Sequence, residues 1–139
     1  MATTAKALFE NRWMLLSNET LSGTAVYSDG ISTEGFQQAI VEVQAGTFTG
    51  TLSVRIEFSN NGANGPWMPE LLDDTSSVAI TGNTYAVPAR RFVHTWPVSE
   101  SGNAFGIPVP LQYRWFRVGL TATSGNCTVI AQLTQTRGV

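Results

Sequence analysis

The side chains able to do chemistry are few. The chain holds one histidine, His94, and one cysteine, Cys127. A nucleophilic triad would need His94 to converge with Asp29, Asp73 or Asp74 and with an activated serine, but no Gly-x-Ser-x-Gly turn is present to expose one. Strand alternation places His94 on the face of Phe92 and Trp96, as a hydrogen-bonded structural residue. Asp73-Asp74 is an acidic pair, yet neighbours on a strand point apart and no further carboxylate follows at loop-ligand spacing, so a solvated turn is expected there. No Gly-x-Gly-x-x-Gly or Gly-x-x-x-x-Gly-Lys-Ser/Thr segment occurs to cradle a phosphate. Cys127 cannot form an internal disulfide or a zinc site alone, and is expected as a small buried residue of a strand. The expectation is a chain that is not an enzyme and carries no cofactor and no metal.

Binding residues are better represented. In Arg-Ile-Glu-Phe-Ser-Asn-Asn-Gly-Ala-Asn-Gly-Pro-Trp (55–67) a strand runs into a loop of asparagine and glycine that ends on a tryptophan. Asn60, Asn61, Asn64 and Trp67 nominally supply amides and a ring face for a sugar. The competing reading is a flexible turn, with Gly62 and Gly65 free to take positive φ, followed by a ring that plugs the end of a sandwich. A second cluster is Tyr113, Trp115 and Arg117, which face outward if Phe116 and Val118 face the core. Those residue types are enriched at protein interfaces. Phe9, Trp13, Leu15 and Leu16 near the N-terminus also need cover, from the chain itself or from a partner, because a large exposed apolar patch is costly on a monomer.

The elements positioning these residues follow from periodicity. With 139 residues the chain fits one domain and can bury roughly two-thirds of its unfolded surface. Only 13% of residues are charged, so Ser, Thr, Asn and Gln must supply the polar surface, a bias toward strands and turns. Residues 1–23 read as an N-terminal arm or a short helix capped by Thr4, although the apolar positions spread around the helical wheel. From Thr24 the period is two. Ala39, Val41, Val43 and Ala45 alternate with polar residues, interrupted by Ile40. Leu52, Val54, Ile56 and Phe58 share one face; so do Phe116, Val118, Leu120 and Ala122, and then Cys127, Val129, Ala131 and Leu133, with Ile130 turned outward. Phe92, Trp96 and Val98 share a face of a strand that Pro97 marks as an edge or as ending, and a short strand lies around Val78–Ile80. Residues 101–110 read as an irregular loop. The sum is an all-β chain, an antiparallel β-sandwich or jelly roll spanning residues 24–139. A net charge of −2 argues against nucleic acid, and no apolar run approaches a membrane span or a secretory core.

The segment from Gly50 to Leu133 resembles β-sandwich structural proteins of tailed bacteriophages. The marks are the strand Leu52–Ser59, the turn Asn60-Asn61-Gly62, Trp67, the strand Tyr113–Leu120 and the closing hairpin to Thr134. Asn61 stands where an Asp often sits. Among such proteins a short chain starting at Met1 is most similar to a capsid cement, or decoration, protein. The resemblance implies a non-enzymatic virion component, made in the host cytoplasm, that binds the major capsid protein and copies of itself. On this reading Phe9, Trp13, Leu15, Leu16, Tyr113, Trp115 and Arg117 form the interface. The alternative it implies is a carbohydrate-binding module of a tail or host-adsorption protein, centred on Trp67.

Overall fold

The computed structural model describes the backbone of residues 5–9, 11–68, 70–72, 77–86 and 89–135, and the side chains of 5, 11–68, 81–82 and 92–135. In chain order the strands are β1 (Lys6–Phe9), β2 (Arg12–Leu21), β3 (Val26–Tyr27), β4 (Ile31–Ser32), β5 (Gln38–Thr49), β6 (Leu52–Ser59) and β7 (Glu70–Leu72). They continue with β8 (Ser77–Ile80), β9 (Asn83–Ala86), β10 (Ala89–Arg91), β11 (Val93–Trp96), β12 (Ala104–Pro110), β13 (Trp115–Thr121) and β14 (Ser124–Thr134). A front sheet runs β1-β2-β14-β5-β12, and a back sheet runs β11-β6-β13-β3, with β4 also on β13. Pairing is antiparallel throughout, so the chain is an all-β sandwich. β7 pairs β10 and β8 pairs β9 as separate two-stranded ladders.

Period-two alternation builds the core. Val41 and Val43 of β5, Leu52, Val54, Ile56 and Phe58 of β6, Phe116, Val118 and Leu120 of β13, and Val129, Ala131 and Leu133 of β14 are all fully buried. Each large side chain removed from water contributes roughly 1.5–3 kcal/mol. Where the two sheets' edges meet, Trp96 of β11 stacks on Phe105 of β12 with ring centroids 4.2 Å apart, closing the side of the sandwich.

Two segments differ from expectation. Residues 12–21 form neither an arm nor a helix; they are β2, an interior strand between β1 and β14. Its register explains the misleading pattern. Leu16 pairs Val129 while Met14 pairs Ile130, which leaves Leu15 as an extra residue on β2. That bulge turns both Leu15 and Leu16 into the core at 0% exposure, breaking the alternation that marks a strand. A second irregularity falls at Asn18, whose φ is +45° and whose N–H donates to Thr128 Oγ1 at 2.9 Å.

The expected loop at 101–110 contains β12, whose Ile107 and Val109 are buried. Leu111 N–H donates to Gln37 and Ala45 N–H donates to Asn103, so the odd-numbered residues face β5. The even-numbered residues therefore present their backbone to the open edge, where Pro108 and Pro110 offer no N–H. Proline at such an edge blocks strand addition. Val98 leaves the core face for a single 3-10 turn and is 53% exposed.

Candidate functional site

The outer face of the back sheet is covered in part by the chain itself. Glu57 points outward from β6, yet is only 4% exposed. Arg117 of the neighbouring β13 covers it, with Nε and Nη2 each 2.7 Å from Glu57 Oε1. Arg55 Nη1 lies 3.8 Å from the other carboxylate oxygen. The Arg117 guanidinium in turn lies over two rings, 4.0 Å from the centroid of Tyr27 and 4.8 Å from that of Trp67. Glycines make this layer possible. A β-carbon at Gly119 would come within 2.7 Å of the Tyr27 ring, and one at Gly30 within 2.6 Å of Trp67. The loop after β6 thus folds back over its own sheet, tied by Met68 and Phe58, which exchange N–H···O bonds of 2.7 and 3.1 Å. Trp67 is a plug, but on the outer face of a sheet instead of the sandwich end.

That arrangement redistributes the expected site residues. The Trp67 ring is already engaged by Arg117 and is no open sugar platform. Asn60, Asn61 and Asn64 are exposed, and Asn61 N–H donates to Ser59 Oγ at 3.1 Å to shape the turn. Asn60 belongs elsewhere: its Oδ1 accepts the Arg114 N–H at 3.3 Å. Leu15 and Leu16 are core residues, not interface residues. Trp13 and Tyr113 are half-buried and pack against the core, Tyr113 with its ring 5.6 Å from Phe58. Arg117 is consumed by Glu57, and the side chain of Phe9 lies outside the described residues.

Among the described residues, two larger open surfaces stand beside a small cleft of about 170 Å³ on the back sheet, lined by Tyr27, Ser53, Arg55 and Thr121. At one end of the back sheet, Ser32, Thr33 and Glu34, Asn60, and Leu111–Trp115 line a groove of about 670 Å³. Its walls are stitched together: Thr33 N–H donates to the Arg114 carbonyl at 2.8 Å, and Thr33 Oγ1 donates to the Tyr113 carbonyl. On the outer face of the front sheet, Arg12, Ile40, Glu42, Ala104, Gly106, Ile130 and Gln132 line a shallower cleft of about 440 Å³. Ile40 is 44% exposed there, Ile130 is buried in the floor, and Arg12 Nη2 reaches Glu42 Oε2 at 3.6 Å. Ile40 and Ile130 break the polar face in the sequence and signalled this surface; Arg12 and Met14 of the bulged β2 gave no such signal.

The groups considered for catalysis are dispersed. His94 is exposed on β11 beside Trp96, with ring centroids 6.3 Å apart, and holds no hydrogen bond among the described residues. The expected hydrogen-bonded structural role is therefore not what His94 has. Among the described residues no group of three or more His, Cys, Asp or Glu side chains comes together. Asp73 and Asp74 lie outside the described residues. Cys127 is buried as expected, and burial pushes its thiol pKa from an ordinary 9.0 to about 12, only partly offset by a backbone contact with Thr128. Among the described residues no helix is long and apolar enough to cross a membrane. No family model matches the chain, and a search of curated proteins finds no match.

Proposed function

We propose that the chain is a non-enzymatic structural protein of a virion, which docks on the assembled capsid shell and stabilises it. The observation supporting this reading is the inequality of the two outer faces. The middle of the back sheet's is covered by Trp67, Tyr27 and the Arg117–Glu57 pair of the same chain, leaving a small cleft beside Ser53 and Thr121. The front sheet's is left open, with half-buried Met14, exposed Ile40 and buried Ile130 beside the Arg12–Glu42 pair. A shallow apolar centre bordered by an ion pair fits a protein surface. The occupant proposed is the major capsid protein. Binding only the assembled shell stabilises that state by mass action, and many copies at symmetric positions multiply a modest contact. The proline-blocked edge of β12 favours separate copies, set side by side as a homo-oligomeric layer, over open-ended strand pairing. This reading places the protein on the capsid surface and gives it no nucleic-acid or membrane partner.

The test is decoration of shells by purified protein. Ile40→Asp puts a charge at the centre of the open face without touching the core. Wild type should decorate, and Ile40→Asp should bind at least tenfold more weakly, about 1.4 kcal/mol. Equal decoration by both would remove the front face from the interface, and no decoration by wild type would end the proposal.

A further inference from the structure

The groove at residues 32–34, 60 and 111–115 has a different character from the docking face. Three connections build it: the segment after β4, the turn after β6 and the link from β12 to β13. Its backbone is held before any ligand arrives by Thr33 bonding to the Tyr113 and Arg114 carbonyls, and by Asn60 Oδ1 accepting from Arg114. Three of the side chains lining it take no part in that scaffold. Glu34, Gln112 and Arg114 are exposed, and their side chains have no hydrogen bond or ion pair among the described residues. Asn60 keeps its amide NH₂ available after spending its oxygen. Trp115, half-buried at the start of β13, contributes a fixed aromatic ring.

We infer that this groove is a saccharide site, recognising a neutral mono- or disaccharide. The volume lies within the range of small-molecule pockets. A sugar hydroxyl both donates and accepts, and the lining offers donors from Asn60, Gln112 and Arg114 beside acceptors from Gln112 and Glu34. The apolar C–H face of a pyranose ring suits an indole, whose rigid ring loses little entropy on binding. The opposed charges of Glu34 and Arg114 disfavour either a polyanion or a polycation, each of which would meet one like charge. An added peptide strand is also disfavoured, because β4 is only two residues long and Ser32 Oγ already accepts the Glu34 N–H at 3.2 Å. The carbohydrate reading of the sequence therefore shifts from Trp67 to Trp115, keeping only Asn60.

The experiment is ¹H–¹⁵N correlation spectroscopy of the intact chain, following the indole N–H signals of its four tryptophans. Glucose, galactose, mannose, N-acetylglucosamine, maltose, lactose and cellobiose are titrated in turn to about ten times a 1 mM dissociation constant. At least one probe should move the Trp115 indole signal while leaving that of Trp67 in place. Glu34→Ala and Gln112→Ala remove exposed side chains that hold no part of the fold, and each should weaken binding by about fivefold or more. Trp115→Ala should abolish it, with the dispersion of the remaining spectrum reporting whether the fold survives. If no probe shifts Trp115, or if binding persists unchanged in both Glu34→Ala and Gln112→Ala, the inference is overturned.

Discussion

Replacing Arg117 by alanine should uncover a buried charge. Glu57 is 4% exposed, and its Oε1 receives both Arg117 contacts at 2.7 Å. Removing one partner of a buried pair typically costs 3–5 kcal/mol, mostly from the charge left behind. The cost here should be smaller, because the Arg117 side chain is 23% accessible and Arg55 remains 3.8 Å from the carboxylate. Loss of the contacts over Tyr27 and Trp67 adds roughly 0.5–1 kcal/mol each. The expected destabilisation is about 2–4 kcal/mol, which at a urea dependence of about 2 kcal/mol per molar moves the unfolding midpoint down by about 1–2 M. Glu57→Gln removes the charge that Arg117 leaves stranded, so Glu57→Gln with Arg117→Ala should recover about 1.5 kcal/mol or more of the summed single losses. Equilibrium urea unfolding by circular dichroism measures both. A midpoint unchanged in Arg117→Ala, or strict additivity in the double variant, would refute the view that this pair holds the cover of the back sheet in place.

Gly119→Ala should force the Tyr27 ring off the sheet and cost about 1–3 kcal/mol in the same urea assay. Pro108→Val with Pro110→Val restores two edge N–H groups on β12, and sedimentation should show stronger concentration-dependent association than wild type. Cys127 should resist a thiol reagent at pH 9 until the chain unfolds. Because its folded pKa is raised, the unfolded thiol ionises first. Stability is therefore full below pH 9.0 and falls from there toward about pH 12, by up to ~1.4 kcal/mol per pH unit. Urea midpoints measured across that window, compared with Cys127→Ala, isolate the effect.

Legibility in the sequence tracked how cleanly a strand alternates. β6 and β13 each bury every second residue without interruption, and their core faces read directly from composition. β2 was obscured because its bulge turns Leu15 and Leu16 the same way, and two adjacent apolar residues imitate a helical stripe. β12 was obscured for another reason: Gly106, Pro108 and Pro110 occupy the positions facing away from the core, so turn-forming residues mask the inward set of Phe105, Ile107 and Val109. The site was harder still. Outward-facing Arg117 reads as an interface residue until Glu57, Tyr27 and Trp67 are placed around it, and nothing in sequence spacing sets a loop at 60–67 over β13. Trp115 was legible as outward, but its groove depends on Thr33 meeting Tyr113, eighty positions apart in the chain.

The measurement that bears most directly on the proposed role is an electron cryomicroscopy reconstruction of mature shells incubated with the purified chain. Density is expected at symmetric positions on the outer surface, with Ile40 and the Arg12–Glu42 pair turned toward the shell and the Trp67 side turned toward solvent. Bare shells, or bound copies that present the Ile40 face to solvent, would contradict it.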